Sequence, residues 1–92
     1  MYEISDPDGH LLRWLSEQES ASAREDFRSW IPRLAEDPRG IATARLIRAD
    51  GVQAFTLRIQ MCEAFIDYTI VEEQKKVLIL DVVTVSFEDF SD

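Results

Sequence analysis

The side chains best able to do chemistry in this sequence are three arginines, a single histidine, a single cysteine and two aspartates. Arg45, Arg48 and Arg58 could form a small phosphate-binding patch if their strands adjoin, since guanidinium groups hydrogen-bond phosphate oxygens. Positions 45 and 48 differ by three, however, and a regular strand sends them to opposite faces. The plainer reading is solvated strand-edge charge. His10 near Asp6 and Asp8 suggests a metal site or a general base. That spacing supplies one nitrogen ligand, and "DPDGH" lacks the remaining oxygen positions of a calcium loop. Helix-start chemistry accounts for both aspartates.

Cys62 has no evident basic neighbour to lower its pKa, and Glu63 beside it would raise it, so it reads as a small apolar residue. Asp67 and Asp81 are the sharper pair. A turn centred on Gln74 brings them level on adjacent strands, and paired carboxylates can do acid-base work. Two carboxylates side by side are costly without a cation, so a structural ion pair with Arg58 or Arg45 between them is expected. With one cysteine the chain can form no intrachain disulfide and no Cys-based zinc site. No metal and no cofactor is expected.

These groups need elements to position them, and the pattern supplies two kinds. Tyr2 to Ser5 suits a short strand. Asp6-Pro7 suits a helix start, and Leu11, Leu12, Trp14 and Leu15 recur at helical spacing, which predicts a helix from about Pro7 to Gln18. Ser22 to Glu25 has capping-box spacing, and Phe27, Trp30, Ile31 and Leu34 make the apolar stripe of a second helix. Pro32 should kink that helix or restart it, and Asp37-Pro38-Arg39-Gly40 should end it. From Ile41 the period becomes two. Strands are predicted at Ala42 to Ala49, Val52 to Ile59, Glu63 to Val71 and Val77 to Val85, with Asp50-Gly51 as a two-residue hairpin turn. The last strand is apolar at successive positions and should be central or covered on both faces. Trp14, Phe27 and Trp30 belong to the core. Phe87 and Phe90 lie in an acidic-aromatic tail with two open readings, packing back on the helices or docking on a partner.

The expected fold is therefore α+β, an N-terminal helical hairpin packed on a mostly antiparallel four- or five-stranded sheet, in one domain over residues 1–92. The 46% apolar content suits a folded chain. A net charge of −8, from 18 acidic and 10 basic residues, weighs against an extended nucleic-acid surface. The imbalance concentrates after residue 49, where three basic residues meet nine acidic ones. No apolar run approaches the ~20 residues of a spanning helix, and no signal peptide is evident, so the cytoplasm is the expected location.

The passage Leu34, Pro38, Gly40, Leu46, then "FTLRI" (55–59), "FIDYTIVEE" (65–73) and "KVLILDVVTV" (76–85), resembles in order and spacing the RelE/ParE toxin superfamily of bacterial toxin-antitoxin systems. In that family the corresponding ribbons read as an aromatic with Leu-Arg, then Arg-Val-Ile-Tyr with an acidic turn, then an apolar strand ending near His-Arg. RNA-cleaving members carry several Lys and Arg on the sheet and often a tyrosine near the C-terminus. Here Ala64 or Phe65 stands where the arginine is expected, and the chain ends Ser86-Phe87-Glu88-Asp89-Phe90 instead of in a basic segment. Arg58 and Tyr68 match residue by residue, and Tyr68 reads as a structural position.

The resemblance implies a toxin-family protein acting through protein contacts without ribonuclease activity. Its partner would be an antitoxin wrapping the sheet and helical hairpin, and a target such as DNA gyrase is what the ParE branch of the resemblance implies. Arg45, Arg48, Arg58, Phe87 and Phe90 are the candidate partner-binding residues. One alternative is an RNA-cleaving toxin in which those arginines hold phosphate while Tyr68 or His10 transfers protons. The other is a non-toxic interaction or structural module.

Overall fold

The structure, a computed structural model, describes residues 1–59 and 63–84 of the 92. The chain runs β1 (Glu3–Ser5), α1 (His10–Glu17), α2 (Ala21–Glu36), β2 (Ala44–Ile47), β3 (Gln53–Ile59), β4 (Ala64–Val71) and β5 (Lys76–Thr84). The five strands form one sheet in the order β1-β5-β4-β3-β2. Consecutive strands from β2 onward pair antiparallel, and β1 closes the far edge by pairing parallel to β5. The α+β architecture read from the sequence is the one observed.

Several local signals act at positions other than those expected. α1 begins at His10, because Gly9 takes a left-handed turn at φ 68 before it. Asp6 still caps this helix: its carboxylate accepts from the backbone N–H groups of His10 at 2.9 Å and Leu11 at 2.8 Å. The second helix is capped by Ser20 and not by Ser22, with the Ser20 hydroxyl accepting from Ala23 N–H at 3.2 Å. α2 continues through Pro32 without a restart. Pro32 and Arg28 are both exposed residues, so the donor that Pro32 removes is lost on the water side of the helix.

The β2–β3 connection is a three-residue loop, where two residues were expected. Gly51 N–H donates to the Arg48 carbonyl, Arg48 N–H donates to Val52, both at 2.9 Å, and Gly51 adopts φ 83. A turn followed by a left-handed glycine suits the right-handed twist of the strands it joins. β2 is correspondingly shorter than its apolar pattern suggests.

The helices cover one face of the sheet. Phe55, Leu57 and Ile59 of β3, Ala64, Ile66 and Tyr68 of β4, and Val77, Ile79 and Val82 of β5 are buried there against Trp14, Phe27 and Leu34. Trp14 stacks on Phe27 with ring centroids 4.3 Å apart, and its indole N–H donates to the Thr84 hydroxyl at 2.6 Å. β5 lies between β1 and β4, so it is internal in the sheet, yet the helices cover one of its faces and not both.

One irregularity matters for the site. Asp67 faces Asp81 across the β4–β5 ladder, but Tyr68 faces Ile79, so Leu80 is an extra residue on β5. A bulge of this kind re-aims neighbouring side chains.

Candidate interaction face

Opposite the helices, alternation turns Ala54 and Thr56 of β3, Asp67 of β4 and Leu78 and Leu80 of β5 toward solvent, joined by Leu46 of β2. Two shallow hollows mark this open face. One, of about 330 Å³, is lined by Leu46, Ala54, Thr56, Asp67, Leu80 and Arg48. The other, of about 500 Å³, shares Arg48 and Leu80 and extends to Val52, Val71, Leu78 and the acidic turn at Glu72 and Glu73. The floor is mainly aliphatic. Its central carboxylate, Asp67, accepts from the Thr56 hydroxyl at 2.8 Å.

The structure separates the three arginines that the sequence grouped. Arg45 faces the helix side, its guanidinium 5.8 Å from the centroid of Phe55. Arg48 borders both hollows of the open face and lies 3.8 Å from Asp50. Arg58 shares the open face, with its guanidinium 5.8 Å from the centroid of its cross-strand neighbour Phe65. Arg48 pairs with Val52, and Arg58 lies six residues further along β3, which is about 20 Å of strand. Adjoining strands therefore bring no two of them onto one phosphate.

The other candidates are also parted from the open face. Tyr68 is fully buried on the helix side, and its hydroxyl donates to the Pro38 carbonyl at 2.5 Å. Burial, with Asp37 nearby, pushes the phenol up to about 12. His10 sits where α1 meets β5, its Nδ1 within 3.1 Å of Arg13 and its Nε2 3.7 Å from Asp8.

Asp81 is directed to that same junction, 3.8 Å from His10 and 4.0 Å from Arg13, because the bulge gives the open-face place beside Asp67 to Leu80. The two aspartates are thus level in register, as the sequence suggests, but they share neither a face nor an arginine between them. Among the described residues no three His, Cys, Asp or Glu side chains are grouped to hold a metal. Cys62, Phe87 and Phe90 lie outside the described residues.

A five-stranded sheet in this order, a helical hairpin on one face and an open opposite face have close counterparts among solved structures. The isolated E. coli RelE toxin superposes with a TM-score of 0.69 at 17% identity, over 99% of this chain and 93% of that one. The fold is RelE-like. The intact E. coli RelBE toxin-antitoxin complex matches with a TM-score of 0.69 at 14% identity, over 94% of this chain and 99% of that one. The RelE-RelB complex of the archaeon Pyrococcus horikoshii gives 0.68 at 14% identity, over 90% and 93%. No protein-family model matches the chain, and no curated protein matches it in sequence. At such identities the likeness is one of fold.

Within this RelE-like frame, one group of interacting side chains escaped sequence reasoning. Tyr2, Arg39 and Glu72 come from three distant segments and meet at the β1 corner of the sheet. The Tyr2 hydroxyl and the Arg39 guanidinium both donate to Glu72 Oε1, and Lys75 reaches its other oxygen at 3.3 Å. These contacts, the Tyr2 hydroxyl first and Arg39 next, hold the Glu72 carboxyl down at about 2. The sole hint in the sequence is a basic residue and an acidic turn, which fits many surfaces equally well.

Proposed function

We propose that this chain is a RelE-like toxin-family protein that works by binding protein, with an antitoxin-like chain as its partner, and does not cleave RNA. The observation that carries this reading is the composition of the open face: an aliphatic floor from Leu46 to Leu80, a central carboxylate at Asp67, and arginines held about 20 Å apart at its margins. Cutting a phosphodiester needs a base, an acid and cations gathered around one phosphate. Here the cations are dispersed and Asp67 repels the substrate. Tyr68 and His10, the proton-transfer candidates, lie on the helix side. An aliphatic surface with a polar margin is instead what a protein segment buries well. The RelE structures solved with RelB support an antitoxin as the kind of partner. Cytoplasmic action follows from the same reading, and no described helix is long and apolar enough to cross a membrane.

The test is an RNA-cleavage assay on the purified chain, paired with induced expression in growing cells with and without the product of the neighbouring reading frame. The expected result is growth arrest relieved by that product, with no cleavage above background. Cleavage that disappears in Arg58→Glu while the fold survives would overturn the binding reading. Undiminished growth would remove the toxin from it.

A further inference from the structure

The open face carries a charge without a counter-charge. Asp67 stands at its centre, half-buried, with the Thr56 hydroxyl donating to Oδ1 at 2.8 Å. Among the described residues Oδ2 accepts no hydrogen bond, and no cation lies within ion-pair distance of the carboxylate. The arginines around it are directed elsewhere. Arg48 lines the same hollow but lies 3.8 Å from Asp50, and its strand partner Val52 stands four residues, about 13 Å, from Thr56. Arg58, two residues beyond Thr56, has its guanidinium 5.8 Å from the centroid of the Phe65 ring.

The surroundings of this carboxylate are aliphatic. Leu46, Ala54 and Leu80 line the hollow of about 330 Å³ with it, and Leu46 is 67% exposed. A protein segment laid over this floor strips water from Asp67, and a carboxylate that loses its water without gaining a cation opposes the binding that the apolar contact favours. A partner therefore has to bring the missing positive charge. Lysine and arginine fit both characters of the hollow, because their alkyl stems cover apolar surface while their heads stay with charge and water. Glu73, exposed at the far end of the adjoining hollow, extends the same sign of charge.

We propose that Asp67 sets the specificity of the open face, selecting a protein partner that lays a lysine or arginine side chain between Leu46 and Leu80 and pairs it with Oδ2. This rests on the binding reading above and adds to it the residue that discriminates and the chemistry it accepts. Asp67 acts largely by rejection: a neutral side chain in the same place would bury the carboxylate unpaired, and an acidic one would set it against its own sign. The net charge of −8 attracts any cationic segment, but salt screens charges beyond about 8 Å, so the choice among segments falls to the group in contact.

The probes are three blocked tripeptides, with leucine at each end and lysine, norleucine or glutamate in the middle, titrated into the full-length chain. The methyl and amide NMR signals of Leu46, Ala54 and Leu80 are followed. The lysine peptide is expected to bind about threefold or more tightly than the norleucine peptide, and added salt should shrink the difference. Asp67→Asn, which keeps an acceptor for Thr56, should erase the preference with the thermal transition retained. Thr56→Lys, which sets a cation of the chain's own opposite Asp67, should do the same. Glu17→Gln makes an equal change in net charge at the exposed end of α1 and should leave the preference intact.

Equal binding of the lysine and norleucine peptides would overturn the proposal and leave the binding reading standing, since the aliphatic floor would still accept a peptide. A preference that survives Asp67→Asn, or that vanishes in Glu17→Gln, would also overturn it, by assigning the selectivity to overall charge. Tightest binding of the glutamate peptide would overturn both and readmit RNA as the occupant. Open-face signals that none of the three peptides moves would remove the binding surface and the proposal together.

Discussion

The two faces of this sheet use the same strands for opposite purposes. On the helix side, Phe55, Leu57, Ile66, Tyr68 and Val77 are closed off from water by Trp14, Phe27 and Leu34. On the open side, Leu46, Leu78 and Leu80 keep water contact beside Thr56, Asp67 and Arg48. Alternation in a strand makes both faces from one run of residues, so what separates them is the helical hairpin alone. The lesson concerns the polar groups. A tyrosine on the helix side becomes a structural peg with its phenol pushed up to about 12, whereas an aspartate one position earlier is left on a surface, accepting from the Thr56 hydroxyl.

Substitutions should therefore be felt very unequally on the two faces. The largest effect is expected from Phe27→Ala, which opens a cavity beneath Trp14 in the covered face and should cost about 3–5 kcal/mol in chemical denaturation. A loss below about 1 kcal/mol would mean that the hairpin is not what closes this face. Next comes Tyr68→Phe. It strips the Pro38 carbonyl of its buried donor and should cost about 1–3 kcal/mol with the aromatic packing kept.

On the open face Leu46→Ser should change stability by less than about 1 kcal/mol, because its side chain, 67% exposed, has little burial to lose. The same variant should weaken binding to the protein partner in a pull-down or calorimetric titration. A large loss of stability would show that the open face is part of the core.

The smallest expected effect concerns the corner network at Glu72. Its carboxyl is held at about 2 in the folded chain against an ordinary value of 4.5. A depressed folded value means that the unfolded chain binds more protons between these two pH values. The contribution is thus fully present above about pH 4.5 and is lost as pH falls toward 2. Glu72 is solvent-exposed, so the effect is modest. Glu72→Gln should flatten this part of a thermal-stability profile against pH. An unchanged slope would assign the acid dependence to other carboxylates.

The sequence was most informative where neighbours in the chain decide the outcome. The change of period at Ile41 separates helices from strands, and Asp37-Pro38-Arg39-Gly40 ends α2 where the conformational preferences of proline and glycine require. The capping residue of α2 was misplaced by two positions because Ser20 and Ser22 offer the same hydroxyl, and which one caps depends on where the α1–α2 link stops. Pro32 was expected to bend or split the helix. α2 runs through it without a restart, at a point where Arg28 and Pro32 are exposed to water, and exposure is a tertiary property.

The site was less legible than the fold. Spacing correctly parts Arg45 from Arg48, and register arithmetic correctly sets Asp67 level with Asp81. Nothing in the local sequence marks Leu80 as a bulge, yet that single extra residue sends Asp81 to His10 and Arg13 and leaves Asp67 alone on the other face.

By itself, then, the sequence determined which segments are helix and which are strand, which strands pair through short turns, and which side chains share a face where a strand runs without a bulge, because each follows from periods and turns spanning a few residues. The tertiary structure decided which face the helices cover, that β1 joins β5 in parallel, that the Tyr2–Arg39–Glu72 corner exists, and that β2 is left as the bare edge. Those outcomes depend on contacts between groups some seventy positions apart, such as Trp14 with Thr84 and Tyr2 with Glu72, whose energies no local window contains.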